Sequence, residues 1–367
     1  MILMNDFFSE YSHYKHGLIE AFTRVCESGW YIQGAELDNF EDQFSNSLSV
    51  KHCIGVANGL EALQISLMSL NIKAGDEVIT TPLTAFATIL SIINVGAVPV
   101  FADIDPRTGS LSITEAEKFI TDKTKVILLV HLFGHAAYLR KWREFCDKNN
   151  LLLVEDCAQS HFAKCDGAYA GTYGVCGAFS FYPTKNLGAL GDAGCIVTND
   201  DNLASKMRML RDYGQSAKYK HDIIGMNSRL DELHAAFLSV KLSDHNEMTE
   251  RRRTVAEYYL ENITNNFLQL LPLPIDRENH VHHLFPILTE FRDDFIAHLN
   301  KYKINSSIHY PILASDQLAL MNRDFVVSNL DNAVYFASNI VSIPCHPYLS
   351  KEDLSKVIEI VNDFSPS

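Results

Sequence analysis

Between residues 55 and 200 the apolar positions switch repeatedly between two periods. From Leu60 to Leu70 they recur at 60, 63, 67 and 70, the spacing of one helix face. Glu77–Thr81, after Gly75-Asp76, reads as a short strand, and Phe86–Val95 as a helix apolar on most faces. Val98–Ile104 predicts the next strand. Val126–Leu132 is an almost unbroken apolar run, as expected of a strand covered on both faces. Leu139–Asn149 is helical and Leu151–Val154 a further buried strand, with Ala178–Tyr182 and Cys195–Thr198 completing the series. This alternation predicts an α/β fold in three layers, a mostly parallel sheet between two layers of helices.

After Asp231 the pattern changes. Leu230, Leu233, Phe237 and Val240 lie on one helical face, and charge thickens through Glu250-Arg251-Arg252-Arg253, a run that reads as a solvated helix face. Beyond it come a strand over Leu284–Leu288, a helix over Arg292–Tyr302 and a last helix with Ser350 as N-cap before an acidic first turn. The pattern predicts a large domain over 1–245 and a smaller C-terminal α+β domain over 246–367, packed together without a flexible linker.

Composition narrows the function classes. The chain has 367 residues, 47% apolar and 21% charged, which suits a folded globular protein. Its formal charge of −14 argues against a broad grip on nucleic acid or an anionic membrane. The longest greasy stretch, Ile89–Val100, is interrupted by Asn94, Gly96 and Pro99 and falls short of the roughly 20 residues of a membrane helix. The N-terminus lacks the basic region of a signal peptide. The eight cysteines form no Cys-x-x-Cys pair, so free thiols in a reducing cytoplasm are expected, with no metal site.

The richest chemistry lies in Val154-Glu155-Asp156-Cys157-Ala158-Gln159-Ser160-His161 and in Ser180-Phe181-Tyr182-Pro183-Thr184-Lys185-Asn186-Leu187-Gly188. Asp156 ends a buried strand, at the sheet edge where α/β folds bind ligands; position alone allows a helix cap or a ligand contact. Lys185 follows a strand in a glycine-containing loop. A lone loop lysine is usually solvated. Paired with a strand-end aspartate, it suits a cofactor that forms a Schiff base with lysine and needs an acid on a ring nitrogen.

That constellation resembles the pyridoxal-phosphate sugar aminotransferases of the DegT/DnrJ/EryC1/StrS family, within the fold-type-I aminotransferases. Four further stretches look like family markers in the family's order: Gly29-Trp30-Tyr31-Ile32-Gln33-Gly34, Val56-Ala57-Asn58-Gly59-Leu60-Glu61, Gly225-Met226-Asn227-Ser228-Arg229-Leu230, and His309-Tyr310-Pro311 with Ser342-Ile343-Pro344-Cys345-His346-Pro347. The resemblance implies that Lys185 holds the cofactor and later shuttles a proton. Asp156 would pair with the pyridinium nitrogen and Gln159 would bind the ring oxygen. Phosphate donors would come from Gly59, Leu60 and Ser180, and from Asn227 of a neighbouring subunit, which implies a homodimer with shared sites. Leu60 departs from the Ser or Thr of many members and leaves only a backbone donor.

Thr84-Ala85-Phe86-Ala87-Thr88 stands where the family carries Thr-aromatic-x-Ala-Thr. The aromatic is displaced by one position, so Phe86 is expected either to stack on the cofactor or to pack in the core. By analogy His161, Tyr182, Asn186, Arg229, His309 and Tyr310 line the substrate region, although the histidine that often follows the family's Tyr-Pro is missing from Ile312-Leu313-Ala314-Ser315. The resemblance implies an aminotransferase moving an amino group from L-glutamate to a C3 or C4 keto group of a nucleotide-linked, dTDP-type, keto-deoxy sugar. The alternatives are a sugar 3-dehydratase on the same scaffold, whose members typically carry histidine in place of the lysine, and a cofactor-binding regulator without turnover.

Overall fold

In the computed structural model, which describes residues 1–272, 274 and 276–366, the chain opens with two helices, α1 (Phe7–Ser28) and α2 (Ala35–Leu48). Strands and helices then alternate as β1 (His52–Val56), α3 (Gly59–Ser69), β2 (Glu77–Thr80), α4 (Phe86–Asn94), β3 (Val98–Phe101), α5 (Ile113–Glu117), β4 (Thr124–Val130), α6 (Leu139–Asn149) and β5 (Leu152–Asp156). A small hairpin, β6 (Lys164–Cys165) and β7 (Ala168–Tyr169), precedes β8 (Cys176–Ser180) and β9 (Gly194–Thr198). Next come α7 (Asp201–Arg211), the hairpin of β10 (Gln215–Ala217) and β11 (Lys220–His221), α8 (Glu232–Leu242) and α9 (His245–Asn262). The remainder holds β12 (Gln269–Leu270), β13 (Phe285–Leu288), α10 (Arg292–Lys301), β14 (Val326–Val327), α11 (Asp331–Asn339), β15 (Ile340–Ile343) and α12 (Lys351–Asn362).

Eight strands form the large sheet in the order β1-β9-β8-β5-β4-β2-β3-β14. All neighbours are parallel except around β9, which runs antiparallel to both β1 and β8. The apolar run of β4 explains why the sheet is covered twice. Ile127 and Leu129 join one buried cluster with Phe40, Phe44 and Trp142, whereas Val126 and Leu128 join another with Leu63 and Ile65. Alternate side chains of a strand point to opposite faces, so both faces need helices. A third cluster, around Tyr259, Phe285, Phe295 and Val357, lies with the three-stranded sheet β12-β13-β15. Fold type I, with its large mostly parallel sheet, is the architecture observed.

Two local expectations change. The strand expected over Val98–Ile104 stops at Phe101, because Asp103 turns aside: its carboxylate accepts from the amides of Ile104, Asn332 and Ala333 and from Asn332 Nδ2. Those bonds occupy free amides at the start of α11. The Arg251–Arg253 run is not a solvated face. Arg252 and Arg253 are buried and satisfy backbone carbonyls, Cys345 O for Arg252, and His280 O and Glu278 O for Arg253. Only Arg251 is exposed, in an ion pair with Glu247 one turn away. Finally, the chain crosses the 245/246 division more than once. β14 adds to β3 at the edge of the large sheet, and Ile2 bridges to Ile304.

Candidate active site

The sheet gathers its chemistry at one edge. β5 and β8 are parallel neighbours, and Asp156 stands opposite Ala178, two residues before Ser180 at the end of β8. β1 and β8 both pair with β9 in antiparallel fashion, which aligns them: Gly194 stands opposite Val56 on one side and Ser180 on the other. The turn from β1 into α3 therefore opens beside Ser180. There Gly59 is required by space, since a Cβ on it would come within 2.6 Å of Ser180 Cβ. Asn58 caps α3 by accepting from the Glu61 amide at 2.9 Å, and the Gly59 and Leu60 amides have no acceptor among the described residues. Free amides and the positive end of the helix dipole favour an anion at this point. Leu60 itself is half-buried.

Asp156 is buried and held by two donors. Its Oδ1 accepts from the Ala158 amide at 3.1 Å and its Oδ2 from Thr88 Oγ1 at 2.9 Å. Thr88 is within 2.9 Å of the Thr84 hydroxyl. Burial pushes the Asp156 carboxyl above its usual range, against the Ala158 and Thr88 hydrogen bonds and the charge of Lys185. Lys185 lies in the loop after β8, its amide bonded to Tyr182 O at 2.8 Å. Burial lowers its pKa to about 8, while Asp156 pulls it back up. The two groups thus sense each other's charge, yet no ion pair joins them.

Gln159 is fixed at both ends of its amide. Oε1 accepts from the Phe133 amide at 2.6 Å, and Nε2 donates to the Tyr310 hydroxyl at 3.1 Å. Tyr310 is close enough to Asp156 to feel its charge, so this hydroxyl reaches the Asp156 pocket from the C-terminal part of the chain. Asn186 donates to Val281 O at 3.0 Å and contacts His283 Nδ1 at 3.2 Å. His161 is fully buried against Phe179 and Phe181; apart from an approach to the Ser180 backbone, both ring nitrogens lack a partner. Burial and the charge of Lys185 lower its pKa to about 3.

Other expected residues lie elsewhere. Phe86 is partly buried against the cluster of Ile89, Phe101, Ala314 and Leu320, the core-packing alternative. Two residues along a helix are about 200° apart, so Thr88 faces the aspartate when Phe86 faces outward. Thr88 is the member of that segment that serves the site, and sequence reading passed over it. The Thr84/Thr88 spacing of four across the start of a helix, with their hydroxyls 2.9 Å apart, is the signal that could have found it. Asn227 is exposed, Arg229 approaches Asp212 at 3.4 Å and covers the Tyr213 ring, and Tyr182 is half-exposed. A buried trio of His131, Glu155 and Cys157 offers metal-like donors, but Glu155 already accepts from His131 and from the amides of Gly171, Tyr173 and Gly174. It is a brace, with its lone pairs taken.

A half-buried lysine within range of a buried aspartate's charge, beside an anion-ready helix start, suits a cofactor that forms a Schiff base. The profile of the DegT/DnrJ/EryC1/StrS aminotransferase family matches residues 13–362. The chain belongs to this family. A family relative, dTDP-3-amino-3,6-dideoxy-alpha-D-galactopyranose transaminase of Aneurinibacillus thermoaerophilus, is 42% identical over 96% of each chain. The dTDP-3-amino-3,4,6-trideoxy-alpha-D-glucose transaminase of Streptomyces venezuelae is 38% identical, over 94% of this chain and 91% of the relative. The crystal structure of S. venezuelae DesV in complex with a ketimine intermediate superposes with a TM-score of 0.95 at 37% identity, covering 99% of this chain and 98% of that one. As a family member the protein is a pyridoxal-phosphate-dependent aminotransferase.

The residues present fit that cofactor. The Gly59–Ser180 approach with two free amides and a hydroxyl suits a phosphate. The buried Asp156 carboxylate suits a protonated ring nitrogen, and Lys185, lowered to about 8, suits a carbonyl-seeking amine. Among the described residues no helix is long and apolar enough to cross a membrane.

Proposed function

We propose that the protein transfers an amino group from L-glutamate to the C3 keto group of a dTDP-linked keto-deoxy sugar. The observation that carries the reading is the Lys185 amine within range of the Asp156 charge without an ion pair to it. When bound, pyridoxal phosphate supplies an electrophilic carbon for amines and a ring that accepts electrons. Asp156, held by Thr88 and Ala158, keeps a proton on the ring nitrogen. Lys185 Nζ, lowered to about 8, would take the proton from the donor's α-carbon and deliver it to the cofactor's former aldehyde carbon. The Gly59 and Leu60 amides and the Ser180 hydroxyl bind phosphate, and Gln159 orients the ring oxygen side. The 3-amino products in the names of the two transaminase relatives support C3 over C4. Lys185 itself disfavours the dehydratase reading.

A homodimer with shared sites completes the proposal. Phe8, Ile19 and Phe22 on α1 and Trp30 and Tyr31 after it leave large apolar surface exposed, as a subunit interface requires. Asn227 is exposed and free to reach a neighbour's phosphate. The test is to load the protein with cofactor, add L-glutamate, then dTDP-3-keto and dTDP-4-keto sugars. Glutamate should bleach the visible absorption, and magnetic resonance of the product should place nitrogen on C3. Nitrogen on C4 overturns the position, and no bleaching overturns the donor. Lys185→Ala should retain cofactor and lose at least about 10³-fold in turnover.

A further inference from the structure

A second chamber adjoins the lysine loop. It has a volume of about 160 Å³ and is walled by the N-terminal segment, the residue before Lys185 and the C-terminal part of the chain. Its polar lining is Asn5, Thr184, His283, Ser307 and His309. Among the described residues, the side chains of Asn5, Thr184 and Ser307 have no hydrogen-bond partner. His283 is 8% exposed, with Nδ1 committed to Asn186 and Nε2 left over. His309 commits Nδ1 to Ser342 Oγ at 3.0 Å, also leaving Nε2. His283 is buried and the other four are half-buried, so three unpaired side chains and two imidazoles with a nitrogen to spare converge on one chamber and leave it with unused hydrogen-bonding capacity.

The cations that act on the chamber's imidazoles are Lys185 and Arg252: His283 feels both, beside the His309 and His161 rings, and His309 feels Lys185. Arg252 is buried, forms no ion pair among the described residues, and donates to the carbonyl of Cys345, whose side lines the chamber. Both imidazoles are kept neutral by burial. A neutral imidazole can still donate one hydrogen bond, and hydroxyls can donate more. Such a chamber favours a compact anion over the hydroxyls of a sugar. An α-amino acid carries its carboxylate two bonds from its nitrogen, and Thr184 immediately precedes the lysine whose place that nitrogen must take.

We propose that this chamber seats the carboxylate of the amino donor, with Thr184, Ser307 and the free nitrogens of His283 and His309 as its donors. The proposal rests on the aminotransferase reading, and it names where that reaction takes hold of its amino acid.

The test uses the cofactor-loaded protein and its Thr184→Val and Ser307→Ala variants. Calorimetry measures the affinity of glutarate, an unreactive dicarboxylate, and kinetics give KM for L-glutamate and for the keto sugar. Each variant should weaken glutarate and raise the glutamate KM about 5–10-fold, with the sugar KM within about twofold. Retained visible absorption shows that a variant is folded and loaded. Thr184→Ser, which keeps the hydroxyl, should restore glutarate affinity. A raised sugar KM with unchanged glutarate affinity overturns the proposal in favour of the acceptor, and no change in either leaves the chamber to water and overturns it too. Failure of any amino acid to bleach the wild type would instead strike the aminotransferase reading, while glutarate binding still reads the chamber.

Discussion

Burial works on Lys185 and Asp156 in opposite senses, and each limits the shift of the other. The lysine falls from 10.5 to about 8, with Asp156 resisting. Only the neutral amine attacks a carbonyl, so capture of pyridoxal phosphate by the cofactor-free protein should speed up as pH rises and reach half its maximum near pH 8. Asp156→Asn removes the charge that raises the lysine, and the midpoint should move lower. Rapid-mixing absorbance across the range gives both; a wild-type midpoint near 10.5 contradicts the geometry. These two residues were legible in the sequence because each follows a buried strand within a recognisable run. Thr88 was not, because a hydroxyl on an apolar helix carries no pattern until its neighbour across the sheet edge is known. Phe86 stayed open between two roles for the same reason: sequence shows an aromatic in a segment but not which side of the helix it takes.

At the level of elements, the start of α3 decides the anion site. Gly59 occupies a helix position where alanine would ordinarily be the better helix former, by about 1 kcal/mol. Here its Cβ would collide with Ser180, and the cup would have to open. Gly59→Ala should therefore weaken cofactor binding by about tenfold or more while the melting temperature of the cofactor-free protein changes little. Unchanged affinity by fluorescence titration would remove α3 from the site. The strand–helix order of the large sheet was readable from periodicity, because each buried strand sits between amphipathic helices. The early end of β3 was not, since Asp103 departs to serve α11, more than two hundred residues onward. The burial of Arg252 and Arg253 was equally hidden, because the partners that hold them inside, apart from Glu250 beside Arg253, are backbone carbonyls, which leave no trace in residue type.

Across the whole molecule, the buried imidazoles set an acid limit. His161 and His282 are lowered to about 3 and His135, His309 and His346 to about 4, in each case chiefly by burial. Unfolded histidine titrates near 6.5, so below that pH the unfolded chain binds protons that the folded chain refuses. Stability from this source is complete above about pH 6.5 and is lost as pH falls toward 4, by about 1.4 kcal/mol per unit for each group. Urea midpoints should drop steeply between pH 7 and pH 5; equal midpoints would contradict the burial of these rings. The edge strand β14 carries a different implication, for synthesis. The main sheet closes its β3 side with residues 326 and 327, which leave the ribosome more than two hundred residues after β3 itself. Over that interval β3 presents bare amides and carbonyls on that side, an open seam in the nascent protein, and a copy truncated before Val326 would keep it.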